Sequence, residues 1–90
     1  MYKAIDIAKY IINKSIDFNR PISNLQLQKI LYYVQGEYIK VTKGCKLFDE
    51  DLEAWAYGPV VPEVYYEFNK LLELQVQKFI KFIINIHLAI

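Results

Sequence analysis

Residues 23–44 read SNLQLQKILYYVQGEYIKVTKG, and this stretch decides the fold. Ser23 followed three residues later by Gln26 predicts a capping box, with the Ser hydroxyl accepting from the Gln26 amide while the Gln26 side chain reaches back. After that start Leu27, Ile30, Leu31, Val34, Tyr38 and Val41 recur at i, i+3, i+4, i+7, i+11 and i+14, one face of a helix. The pattern stops at Lys43-Gly44, where glycine suits a left-handed cap. This is the central core helix. Gly36 interrupts it opposite the stripe, where glycine costs about 1 kcal/mol relative to alanine, which predicts a close packing partner there.

An earlier helix is predicted over about Lys3 to Asp17, with Ala4, Ile5, Ala8, Ile11, Ile12 and Ile16 on one face and Asp6, Asn13 and Lys14 on the other. It ends before Asn19-Arg20-Pro21, because Pro21 disfavours helical geometry in the residue before it. After the central helix, Leu52, Ala54 and Ala56 alternate with Glu53, Trp55 and Tyr57, which reads as an ordered loop with strand character. A third helix starts near Val61-Pro62, with Pro62 in its first turn, Glu63 beside the positive end of its dipole, and Val64, Phe68 and Leu71 as its core stripe. From Leu74 onward the even positions other than Lys78 are apolar, a strand-like period of two, yet Lys78, Lys81 and Asn85 also fit one helix face. The fold class expected is therefore mainly α: three helices, an ordered Trp-x-Tyr-Gly-Pro connector, and a C-terminal segment open between helix and strand.

With 90 residues, 54% hydrophobic, three Gly and three Pro, the chain is neither disordered nor long enough for a second core. A chain of this size buries only about 60–65% of its unfolded surface, so disulfides, a metal, a partner or an oligomer commonly adds stability. Cys45 is the only cysteine and His87 the only histidine, which removes disulfides and argues against a structural zinc site. A partner remains. The apolar run from Phe79 to Ile90 is too short to span a bilayer and is interrupted by Lys81; if nothing in the chain covers it, it reads as a dimerisation surface for homo-oligomers or as an aggregation hazard.

Charge divides along the chain, with seven Lys/Arg against three acids in residues 1–45 (+4) and four Lys against seven acids in residues 46–90 (−3). Neither half concentrates a basic stripe, and Arg20 is the only arginine, which argues against nucleic acid as partner. The N-terminus has no signal-peptide cleavage pattern, and the expectation is a cytoplasmic protein. No enzyme is expected, since no Ser, Cys or carboxylate stands at a motif spacing from His87 and no base accompanies Cys45. Asp49, Glu50, Asp51 and Glu53 lack the spacing and turn glycine of a calcium loop and read as a solvated acidic loop. Gly36, Gly44 and Gly58 are too far apart for a phosphate loop. No cofactor is expected.

The central helix carries a second face, Gln26, Lys29, Tyr33, Glu37 and Lys40, at i, i+3, i+7, i+11 and i+14. Either it is solvated, with Glu37 and Lys40 paired across one turn, or it meets a partner through Tyr33. Eight tyrosines in 90 residues favour a partner, because Tyr10, Tyr33, Tyr65 and Tyr66 fall outside the apolar stripes.

The run from Leu25 to Gly36 (LQLQKILYYVQG), then Leu47-Phe48-Asp49-Glu50, then Glu53 to Tyr65 (EAWAYGPVVPEVY), resembles the Panacea domain, the SocA-like antitoxin family often labelled phage-associated. The resemblance covers roughly Ile5 to Lys70. It implies an antitoxin of a bacterial or phage toxin–antitoxin module that neutralises a cognate toxin by direct protein binding. An adaptor delivering a partner to a protease, a DNA-binding regulator and a truncated inactive remnant are the alternatives. On this reading Trp55 anchors the connector against the helices, Gly58 supplies a backbone angle that other residues resist, and Pro59 starts the turn into the third helix. The expected toxin surface is Gln26, Lys29, Tyr33 and Glu37, with Tyr57 and Tyr65 at its rim. The family domain usually continues with further helices, so residues 1–70 are expected to be an incomplete Panacea-like domain and residues 71–90 an apolar tail outside the family pattern.

Overall fold

The computed structural model of the chain describes residues 1–69. Helix α1 spans Ala4–Asp17 and α2 Asn24–Thr42; strands β1 and β2 are Glu53–Trp55 and Gly58–Val60, and residues 62–69 form helix α3. The mainly α expectation holds, and the connector adds a small antiparallel hairpin pairing Glu53 with Val60, Ala54 with Pro59 and Trp55 with Gly58. Pro59 thus sits within β2, and Pro62 opens α3. Neither turn residue, Ala56 or Tyr57, takes a positive φ; Gly58, just after them, has φ 121°. The alternatives for residues 71–90, Leu71 of the third stripe, oligomers through the apolar tail, and His87 lie outside the described residues.

The start of α2 forms as its sequence directs. The Gln26 amide donates to Ser23 Oγ over 3.1 Å, and Gln26 Oε1 accepts from the Ser23 amide over 2.8 Å. Both helix ends follow a different rule from the one expected. At the end of α1 the left-handed residue is Asn19 (φ 55°); its amide donates to the Ile16 carbonyl and that of Arg20 to the Ser15 carbonyl. This is a Schellman closure, in which Asn substitutes for the usual glycine. Pro21 follows the stop and does not set it. At the end of α2 the left-handed cap is Lys43 (φ 59°), while Gly44, at φ 122°, donates to the Ile39 carbonyl over 2.9 Å.

The core is Ala4 and Ala8 of α1, Leu27 and Leu31 of α2, Phe48 of the connector, Val61 at the entry to α3, and Val64 and Phe68 within it. The two alanines, one turn apart, let α1 approach α2 closely, with Ile5, Ile11 and Ile12 packed alongside. The expected stripes fray at their distal ends, where Ile16, Tyr38 and Val41 are exposed. The chain returns across α2 at the level of Gln35, leaving the last two turns of the helix beyond the core. Gly36 also departs from expectation, since a Cβ built there meets no atom within 4 Å.

The N-terminal strand-like residues close the fold. The Tyr2 amide donates to the Leu47 carbonyl over 2.9 Å, and Tyr2 forms an isolated parallel bridge with Phe48. No helix among the described residues is long and apolar enough to cross a membrane.

Candidate functional site

Three amides on the inner side of α2 hold the surfaces above it in place. Gln35 is buried; its Nε2 donates to the Phe48 carbonyl over 2.7 Å, and its Oε1 accepts from the amides of Leu47 (2.9 Å) and Phe48 (3.3 Å). Gln28, also buried, accepts from the Val61 amide over 2.9 Å and donates to Asn24 Oδ1 over 3.1 Å. Asn24 then donates to the Tyr65 carbonyl over 2.9 Å. One helix thereby fixes both ends of the connector and the first turn of α3. Buried amides of this kind stabilise only when satisfied, and among the described residues no buried side-chain N or O atom lacks a partner.

Of the six residues expected to meet a partner, Gln26 is exposed but already engaged in the capping box. Lys29, Tyr33 and Glu37 are exposed along α2. Tyr33 packs edge-on against Tyr32 at 5.6 Å between ring centroids. With Gly36, Ile39, Gln35 and Leu52, the residues Tyr32, Tyr33 and Glu37 line an open depression of about 320 Å³ between α2 and the approach to β1.

Tyr57 stands exposed in the hairpin turn. Tyr65 is half-buried on α3, with its ring 5.1 Å from that of Trp55 in an edge-to-face arrangement. Tyr66 completes a three-ring group, 5.9 Å from Trp55 and 5.7 Å from Tyr65. Trp55 Nε1 donates to Glu53 Oε2 over 2.8 Å, which fixes the indole on the hairpin. The expected residues thus fall into two groups, one along α2 and the other where the hairpin meets α3.

Sequence reasoning missed Asn24, Gln28, Gln35 and Glu50, and it set Tyr66 outside the apolar stripes without assigning it to the partner surface. The first three fall with Leu31 at i, i+4, i+7 and i+11, a helical row beside the apolar stripe, and that spacing is the signal that would have found the amides. Glu50, read as part of a solvated loop, accepts from the Ala4 amide over 2.8 Å. Among the described residues no group of His, Cys, Asp and Glu could hold a metal ion, and Cys45 is exposed as a free thiol.

The arrangement provides rigid exposed aromatics on a fixed frame, which is the equipment of a binding surface. The family described as "Antitoxin SocA-like, Panacea domain" matches residues 27–89. This stretch begins within α2, leaves out α1 and takes in most of the segment after Lys70. The chain is 43% identical over 63 residues to antitoxin SocA of Caulobacter vibrioides (strain NA1000 / CB15N), an alignment covering 70% of this chain and 33% of the relative. The chain thus spans about a third of that relative's length over the aligned region. No solved structure matches it. Its two signature runs, the α2 helix that clamps the connector and the Trp-containing hairpin that leads into α3, are held together by the buried amides, and the chain belongs to the SocA-like antitoxin family with a Panacea domain.

Proposed function

We propose that the chain is the antitoxin of a toxin–antitoxin module, acting in the cytoplasm and neutralising a cognate toxin by binding it rather than by catalysis. Membership of the SocA-like antitoxin family carries this reading. The two exposed groups are its proposed binding surface: Gln26, Lys29, Tyr33 and Glu37 along α2, and Tyr57 and Tyr65 at the hairpin and α3. Trp55, Gly58 and Pro59 serve that surface by holding the hairpin against α3. Tyrosines supply large contact area at low entropic cost, and here they stand on elements fixed from below by Gln28 and Gln35.

The test is co-expression with candidate toxins taken from the reading frames adjacent to the one encoding this chain. The wild-type chain is expected to restore growth, and the double variant Lys29→Ala/Tyr33→Ala to lose rescue while remaining folded by circular dichroism. Full rescue by the folded double variant would move the surface away from α2. Failure of the wild-type chain to rescue would overturn the antitoxin reading.

A further inference from the structure

The hairpin and α3 share a face on which aromatic rings and carboxylates stand together. Trp55 and Tyr65 are half-buried, and Tyr66 is largely exposed, 62% of its surface open to solvent. The three rings touch one another edge-on or tilted, so their outer faces are not all used within the group. Glu53 holds the indole edge through one of its carboxylate oxygens. On α3, Glu63 and Glu67 are exposed, and Glu63 is the one-turn neighbour of both Tyr66 (i, i+3) and Glu67 (i, i+4), so it stands between them on the helix surface. From Leu47 to Asn69 the sequence has six acids, Asp49, Glu50, Asp51, Glu53, Glu63 and Glu67, and no Lys or Arg. Glu50 is engaged at the start of α1, so this face offers aromatic rings beside the carboxylates of Glu53, Glu63 and Glu67, in a segment whose nearest lysines, Lys46 and Lys70, lie at its two flanks in sequence.

We propose that this face binds a basic, arginine-bearing segment of the partner protein, with a guanidinium stacked on Trp55 and Tyr66 and held by Glu53, Glu63 and Glu67. That the partner is the toxin rests on the antitoxin reading above. Arginine fits better than lysine because its planar group stacks on a ring while its edge donates to carboxylates in a fork. Carboxylates beside the rings repel phosphate, which disfavours a nucleic acid on the same face. The rest of the chain is basic, +4 over residues 1–45, so a second copy docking its α1–α2 side here is the competing occupant, and the test separates the two.

Trp55 is the only tryptophan, so its emission reports directly on this face. The full 90-residue chain is titrated with a peptide of alternating arginine and glycine, and with its lysine counterpart. The expected result is a saturable change in emission, about fivefold weaker with lysine and about tenfold weaker in the triple variant Glu53→Gln/Glu63→Gln/Glu67→Gln at unchanged circular dichroism. Should that variant lose its fold, Glu67→Gln alone is expected to weaken the peptide at least about twofold. No change in emission, or equal affinity of the folded variants, overturns the proposal. So does sedimentation showing that the chain self-associates and that the triple variant does not.

Co-expression with the candidate toxin then separates the two readings. Rescue by the wild type and not by the triple variant supports toxin docking here, whereas equal rescue by both overturns it. Failure of the wild type to rescue removes the antitoxin reading, and the peptide titration still judges the face.

Discussion

Glu50 Oε2 accepts a 2.8 Å hydrogen bond from the Ala4 amide, closing the N-terminus of α1 with a residue 46 positions further along the chain. Lys3, at the cap position, gives no side-chain bond of its own. A carboxylate at a helix start both satisfies an orphan amide and meets the positive end of the dipole. We expect Glu50→Ala to lower stability by about 1 kcal/mol, against less than about 0.5 kcal/mol for Asp49→Ala at the exposed neighbouring position. Urea unfolding of both variants checks this; equal effects would show that the contact contributes nothing specific.

The amides of Gln28 and Gln35 carry a larger stake. Replacing Gln35 by Leu strands the Leu47 and Phe48 amides and the Phe48 carbonyl, and replacing Gln28 by Leu strands the Val61 amide and Asn24 Oδ1. Each substitution is expected to cost about 2–3 kcal/mol despite adding apolar surface. Gln26→Ala, which removes half of an exposed capping box, is expected to cost about 1 kcal/mol. The ranking is read from urea midpoints at constant slope, and a Gln35→Leu variant as stable as Gln26→Ala would contradict it.

Much of the fold was legible because its signals are local. The Ser23–Gln26 box, the Leu27 and Leu31 stripe and the α3 entry at Pro62 each depend on residues within a few positions of one another. The frame beneath the proposed binding surface was less legible because it depends on pairs far apart in sequence. Glu50 looks like any solvated acid until Ala4 is brought beside it, and Gln35 looks like part of a polar face until Phe48 crosses it. Ile16 and Val41 continue their helical stripes in sequence but are exposed, since periodicity gives the direction of a side chain and not whether anything lies opposite. The end of α2 was misread by one residue because Lys43 occupies the left-handed position that a glycine usually takes.

That cap and the hairpin glycine make opposite predictions. Lys43 holds φ 59°, a region costly for a residue with a Cβ, so Lys43→Gly is expected to raise stability by about 0.5–1 kcal/mol. Gly58 holds φ 121°, and a Cβ there meets no atom within 4 Å. Any cost of Gly58→Ala is therefore backbone strain, expected at about 1–2 kcal/mol. Thermal melts of the two variants should move in opposite directions, and a shared direction would refute the assignment of strain.

Gly36 lacks the excuse of backbone geometry. It lies in mid-helix, outside the positive-φ residues, with open space where a Cβ would stand. Gly36→Ala is accordingly expected to stabilise the chain by about 1 kcal/mol through helix propensity. A destabilised variant in a urea titration would show that the depression beside Leu52 does not tolerate even a methyl group.

The two sides of α2 should separate folding from binding. Leu31 is fully buried and belongs to the core, so Leu31→Ala is expected to cost about 2–5 kcal/mol. Tyr33 is 67% exposed and packs chiefly on Tyr32, so Tyr33→Ala should change stability by less than about 0.5 kcal/mol. On the antitoxin reading proposed above, both variants are expected to lose toxin rescue, but for different reasons. Leu31→Ala should reduce the amount of folded protein in the cell, whereas Tyr33→Ala should leave abundance unchanged and weaken only the complex. Thermal melts, immunoblots and growth measured together distinguish the two. A Tyr33→Ala variant that is normally abundant and still protects would remove Tyr33 from the binding surface.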